Sequence, residues 1–178
     1  KRYKDYMESK IEKIDEIMNK QEVYDFLTSR GIEYEVTEHG AVFNMEEMSH
    51  VELPHQEADA KNLFVRDDKK SNYYLITVRG DKRVDLKKFR EEHGTRPLSF
   101  ASENDLMNLL GLIPGAVTPL GILNDSEKKV KLFLDEELLK CGLIGVHPND
   151  NTATVWLKTT DLIDIIKEHG NEIEAVRI

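Results

Sequence analysis

Three features of this chain combine residue types and spacings that could do chemistry: a lysine heading an apolar run, a loop bracketed by glycines, and a histidine followed by proline and asparagines. Lys61 opens Lys61-Asn62-Leu63-Phe64-Val65-Arg66-Asp67. At strand period Lys61, Leu63 and Val65 share one face, and Asn62, Phe64 and Arg66 the other. The ammonium therefore stands among core residues. Burying it alone is costly, so it is either a strand-end lysine whose stem snorkels to water or a cation that meets an anionic ligand.

The loop Gly115-Ala116-Val117-Thr118-Pro119-Leu120-Gly121 also has two readings. A helix stop followed by a strand entry accounts for Gly115 and Pro119. Equally, glycine lets backbone N–H and C=O groups approach a ligand, and proline stiffens the approach. In His147-Pro148-Asn149-Asp150-Asn151-Thr152-Ala153-Thr154, the asparagines either bond their own backbone in a turn or join His147 as pocket groups.

Lysine strand, glycine loop and His-Pro-Asn-x-Asn, in that order, resemble the YbaK/ProX family, the domain that edits mischarged prolyl-tRNA. Within it the likeness is greatest to the free-standing branch that deacylates alanyl-tRNA(Pro), the ProXp-ala or PrdX branch. The resemblance runs from about Gln21 to about Gly170. It rests on Lys61-Asn62-Leu63-Phe64, Asp85-Leu86-Lys87-Lys88, Leu98-Ser99-Phe100, Gly115-Ala116-Val117-Thr118, Leu123-Asn124-Asp125 and His147-Pro148.

The resemblance implies hydrolysis of the ester between an amino acid and the tRNA 3′ end. Such an ester is already activated, so water, positioning and charge stabilisation suffice without a protein nucleophile. It implies Lys61 and His147 as catalytic-site residues, with Lys61 pairing with a phosphate or the developing oxyanion and His147 positioning substrate or water. Asn62, Gly115, Ala116, Val117, Thr118, Pro119, Gly121 and Asn149 would contact substrate, the loop amides facing the ester carbonyl. Phe43 and Met45 are candidate walls of a small-residue pocket, or ordinary core. In related enzymes a terminal ribose hydroxyl assists proton transfer, consistent with the lack of an obvious protein base here. A pocket that admits alanine and excludes proline is a second sieve, needed because lost methylenes give only about 1 to 3 kcal/mol of discrimination each.

Two positions depart from the family's common pattern. Ala60 precedes Lys61 where relatives often carry threonine or cysteine, and Pro119-Leu120 stands where many have a bulkier residue. Both bear on pocket size. Cysteinyl-tRNA(Pro), another small aminoacyl group, or a non-catalytic tRNA-binding adaptor on the same fold thus stay open beside alanyl-tRNA(Pro). The partners implied are the acceptor end of mischarged tRNA(Pro) and, transiently, prolyl-tRNA synthetase. No DNA and no membrane partner is expected.

The elements that must position these residues read as α+β, a single YbaK-like domain over residues 18–178 with one curved mixed sheet flanked by helices. Residues 1–17 read as a helical extension outside it, native or added. Met7, Ile11, Ile14 and Met18, then Val23, Tyr24 and Leu27, predict one or two helices from Asp5 to Arg30, stopped by Gly31. Strands are expected at Tyr34–Glu38, Lys61–Arg66, Tyr73–Val78 and Ala153–Leu157. Helices are expected at Asp85–Glu92, behind a Ser102 capping box, and at Asp161–Glu168. Gly121–Leu123 and Val130–Leu134 read as a hairpin about Asn124-Asp125-Ser126-Glu127. Arg79-Gly80-Asp81 reads as a turn.

Composition narrows the classes further. The 178 residues suit one domain with a full core. No apolar run is long enough to span a bilayer. Lys1 to Lys20 is charged throughout, unlike a signal peptide. One cysteine, Cys141, precludes an internal disulfide and fits a reducing cytoplasm. The 25 Lys and Arg against 34 Asp and Glu, net −9, argue against non-specific coating of nucleic acid. Arg79, Lys82, Arg83, Lys87 and Lys88 nonetheless form a local basic group, either a solvated face or the rim that grips an acceptor end. No P-loop or dinucleotide fingerprint occurs, and the histidines lack metal-ligand spacing, so no cofactor and no metal is expected. His50 and His55 read as surface residues, and His93 and His169 as helix-end histidines.

Overall fold

The computed structural model describes residues 17–178. Nearly all of the extension expected at 1–17, and the first half of the helix expected from Asp5, lie outside the described residues. So does the Met45 side chain.

Helix α1 (Lys20–Ser29) starts where Asn19 Oδ1 accepts the Glu22 N–H at 2.9 Å and Glu22 reaches back to the Asn19 N–H. This reciprocal pair satisfies two otherwise orphaned donors. Val23 and Leu27, one turn apart, are fully buried. Strand β1 (Tyr34–Glu38), the short helix α2 (Met45–Met48) and a 3₁₀ turn (Gln56–Ala58) lead into β2 (Ala60–Asp67) and β3 (Tyr73–Arg79). These two pair antiparallel with Lys61 opposite Val78. Their turn closes on Asp67, whose carboxylate accepts from the Ser71 N–H and the Asn72 side chain, both at 2.8 Å.

Helix α3 (Leu86–His93) is capped by Asp85 and closed by Gly94. Strand β4 (Leu98–Phe100) and helix α4 (Glu103–Leu110) follow, the latter capped by Ser102. The expected hairpin at 121–134 does not form. Pro119–Asn124 is a 3₁₀ helix, because the Thr118 hydroxyl caps the Leu120 N–H and Leu120 and Ile122 turn into the core. Asp125 then accepts the Val130 N–H at 2.8 Å and launches β5 (Val130–Asp135), which pairs in parallel with β3.

The chain ends with α5 (Glu136–Cys141), β6 (Leu143–Val146), β7 (Ala153–Lys158), α6 (Thr159–His169) and β8 (Ile173–Val176). The strands form two sheets, ordered β4-β2-β3-β5-β8 and β1-β7-β6. The fold is mixed α+β as expected, with the strands divided between two sheets. A single parallel bridge between Asp59 and Gly145 connects them.

Period-two alternation in β2 sorts the core. Phe64 joins the larger cluster between the sheets with Leu27, Leu132 and Val155. Leu63 and Val65 join a smaller cluster under α3 with Phe89 and Phe133. Gly145 is required where it stands, since a Cβ there would lie 2.3 Å from the Trp156 ring.

Candidate active site

Strand β2 is paired on both edges only near its C-terminal end. Strand β4 meets it at Val65 to Asp67, and the Ala101 N–H donates to the Phe64 carbonyl. In a strand the N–H and C=O of one residue point to the same side, alternating along the chain. Asn62 is therefore aligned with Phe64, its backbone groups directed away from β3. That open edge borders a cleft of 440 Å³. Lys61, Asn62, Gly115, Val117, His147 and Phe43 line it, as do Asp59, Arg83, Met48 and Phe100.

Lys61 donates from Nζ to the Lys82 carbonyl at 3.1 Å, and no carboxylate pairs with it among the described residues. Its positive charge is solvated by one backbone dipole and otherwise faces the cleft. Asn62 is fixed by the Thr77 hydroxyl, which donates to Oδ1 at 2.6 Å.

Gly115 has φ of +88°, and a Cβ there would lie 3.0 Å from the Phe43 Cα. Only glycine lets this loop close against the segment carrying Phe43. From the other side Asn151 holds that segment, donating from Nδ2 to the Val42 carbonyl at 2.8 Å while its own carbonyl accepts the Val42 N–H. Phe43, 61% exposed, and Phe100, 65% exposed, stand at the rim.

His147 directly follows β6 and begins the β6–β7 loop. Its Nδ1 lies 2.8 Å from the Ala153 carbonyl, which can only accept, so Nδ1 carries the proton and Nε2 presents a lone pair. Burial lowers the pKa of this imidazole, and the nearby His39 ring, centroid 6.0 Å away, lowers it further. His147 is thus kept as a neutral acceptor. His39, which drew no attention in the sequence, is held by Gly40 and Thr154.

The remaining loop residues expected to touch substrate turn elsewhere. Ala116, Thr118, Pro119 and Gly121 are buried behind the cleft wall, and a Cβ on Gly121 would meet Leu112 at 2.5 Å. Asn149 donates to the Met18 carbonyl at 3.0 Å. Of the basic group, Arg83 is exposed and lines the cleft, and Lys87 and Lys88 are exposed on α3. Arg79 is engaged by Asp81 and Glu137, and Lys82 lies 2.7 Å from the fully buried Asp135.

Asp59 is a charged wall residue the sequence did not single out. It lies amid Glu52 and Glu57 and looks like one more surface acid. In the fold the Gly80 N–H donates to its carbonyl at 2.8 Å and the bridge to Gly145 covers its other side.

A cation without a counter-ion, an exposed strand edge, a glycine loop in contact with an aromatic residue and a neutral histidine suit the seating of an anionic ester and a water molecule. Residues 39–165 match the aminoacyl-tRNA editing domain. The chain is 40% identical to the prolyl-tRNA editing protein ProX of Acetoanaerobium sticklandii, covering 89% of this chain and 97% of the relative. It is 35% identical to prolyl-tRNA synthetase associated domain-containing protein 1 of Mus musculus, covering 82% and 88%. A solved structure described as a candidate trans-editing enzyme for prolyl-tRNA synthetase superposes with a TM-score of 0.65 at 23% identity, covering 89% of this chain and 96% of that one, a likeness of fold. On the family match and these relatives, this chain belongs to the aminoacyl-tRNA editing family of the YbaK/ProX type.

Proposed function

We propose that this protein is a trans-editing hydrolase that removes alanine from mischarged tRNA(Pro). The observation that carries the reading is the convergence of Lys61, Gly115 and His147 on one cleft. The terminal adenosine enters past Phe100, its phosphate facing Lys61 and Arg83. The open edge at Asn62 offers backbone partners to the nucleoside, and the backbone of Gly115 and Val117 receives the ester carbonyl as charge develops on its oxygen.

Water, held by the Nε2 lone pair of His147, attacks the carbonyl carbon. The bond to the ribose oxygen breaks, and the proton from water passes to that oxygen by way of the neighbouring ribose hydroxyl. Free alanine and the tRNA hydroxyl are the products. Val42, Phe43, Met48 and Val117 supply the apolar wall that excludes a proline ring.

Deacylation of alanyl-, cysteinyl- and prolyl-tRNA(Pro) tests this. Alanyl-tRNA(Pro) is expected to be cleaved fastest and prolyl-tRNA(Pro) spared. Fastest cleavage of the cysteinyl ester would reassign the specificity. No cleavage of any ester would leave a tRNA-binding adaptor.

A further inference from the structure

Among the described residues the fully buried carboxylates of Asp67, Asp125 and Asp135 are well partnered, and that of half-buried Asp59 stands in contrast. Asp67 receives Ser71 and Asn72, Asp125 receives Val130 and Asn171, and Asp135 receives Lys82. The carboxylate of Asp59 has only the N–H of its neighbour Ala60, and among the described residues no cation or side-chain donor reaches it. Burial accordingly pushes its pKa up to about 7.

Its place is fixed from three sides. The 3₁₀ turn accepts the Asp59 N–H at the Gln56 carbonyl, the end of β3 donates through Gly80, and β6 pairs at Gly145. The backbone there is extended, with φ −67° and ψ 128°, so Asp59, Lys61 and Leu63 alternate onto one face. Asp59 and Lys61 both line the cleft, with opposite charges that do not pair with each other. Arg79, on the groove behind Asp59, is already committed to Asp81 and Glu137.

An aminoacyl ester at the 3′ end of RNA carries charge of both signs. Its phosphates are anionic, and its α-ammonium is the only cation on the aminoacyl group. A cleft with a cation and an uncompensated carboxylate on one wall can orient such a molecule end to end. A charge that is expensive to bury alone becomes favourable once its counter-ion arrives. We propose that Asp59 binds the α-ammonium of the aminoacyl group and makes this cleft selective for α-amino acid esters over α-hydroxy acid esters. The proposal rests on the deacylase reading above and adds what the site recognises beyond side-chain size.

The test compares alanyl-tRNA(Pro) with lactyl-tRNA(Pro), in which a hydroxyl replaces the ammonium at nearly the same size. Each kcat/KM is divided by the uncatalysed hydrolysis rate of its own ester, because the ammonium also activates the ester in water. Wild-type protein is expected to favour the alanyl ester by about 10- to 100-fold, the range of one charge-assisted hydrogen bond. Asp59→Asn is expected to bring the two esters within about threefold through loss on the alanyl ester. Equal normalised rates for wild type, or a preference that survives in Asp59→Asn, would overturn the role of Asp59 while leaving the deacylase intact. Failure of wild type to cleave alanyl-tRNA(Pro) at all would overturn the functional reading, and this inference with it.

Discussion

Lys61 and Lys82 are neighbours in space, the ammonium of one donating to the carbonyl of the other, yet the fold treats their charges in opposite ways. Lys82 Nζ lies 2.7 Å from Asp135 and 3.3 Å from Glu137, and it also donates to the Ile178 carbonyl. Its side chain is 17% exposed and that of Asp135 is fully buried. Lys61 has one backbone carbonyl and no carboxylate partner among the described residues. Lys82 therefore ties β3 to β5 and α5, while Lys61 keeps an attraction for anions unspent inside a cleft. On the proposed reading, what marks the functional lysine is a lack of compensation, and burial alone would not separate the two.

The sharpest way to break this contrast is to remove Lys82. Lys82→Ala strands the Asp135 carboxylate and is expected to cost about 3 kcal/mol of stability by urea unfolding. Deacylation per folded molecule should stay within about threefold of wild type. A stable, inactive Lys82→Ala protein would place the functional charge in the wrong lysine.

Asp59 sharpens the contrast from the acidic side. Its folded-state pKa of about 7 lies above the ordinary 3.8, so the charged form is the disfavoured one in the fold. The stability associated with its proton is fully present below about pH 4 and lost as pH rises through 7. Asp59→Asn should match wild type near pH 4 and exceed it by roughly 4 kcal/mol at pH 8, measured by denaturant unfolding at both pH values. A destabilised Asn variant at pH 8 would mean that the carboxylate has a partner in the free protein.

His147→Ala should lower kcat/KM by about tenfold with little change in stability, since the residue orients water without taking part in a covalent step. Because burial lowers its pKa, the acid limb of wild-type activity should lie below the ordinary histidine value of 6.5. The smallest effect concerns α3. Neutralising Lys87 and Lys88 together, as Gln, should weaken cleavage a few-fold for every aminoacyl group alike and reduce the salt slope by roughly 1.5 log units per decade, as expected for two phosphate contacts. An effect that depends on the amino acid would contradict a purely positioning role.

Much of this was legible in the sequence where local rules decide. Alternation assigned Lys61, Leu63 and Val65 to one face of β2, and Asp85 with Gly94 bounded α3. The residues 121–123 misled because an apolar run before a turn reads as a strand, whereas the Thr118 hydroxyl caps the Leu120 N–H and starts a 3₁₀ helix instead. Strand β6 is four residues with a glycine inside, too short for a periodic signal. In the site, Lys61, Gly115 and His147 announced themselves by type and order. Arg79, Lys82 and Asp59 did not, because their states depend on groups distant in sequence: Asp135 and Glu137 for the two cations, Gly80 and Gly145 for the carboxylate.

The claim that Lys61 is a cation kept for the terminal phosphate is tested most directly by a two-by-two comparison. Wild type and Lys61→Ala would each be given 3′-alanyl adenosine with and without its 5′ phosphate, and kcat/KM measured for all four pairs alongside thermal unfolding. Wild type should lose about 100-fold when the phosphate is removed, near 2.7 kcal/mol. Lys61→Ala should remain folded, lose a similar factor on the phosphorylated ester, and distinguish the two esters by less than about threefold. A folded Lys61→Ala protein that cleaves both esters as wild type does, or that retains full sensitivity to the phosphate, would contradict the account.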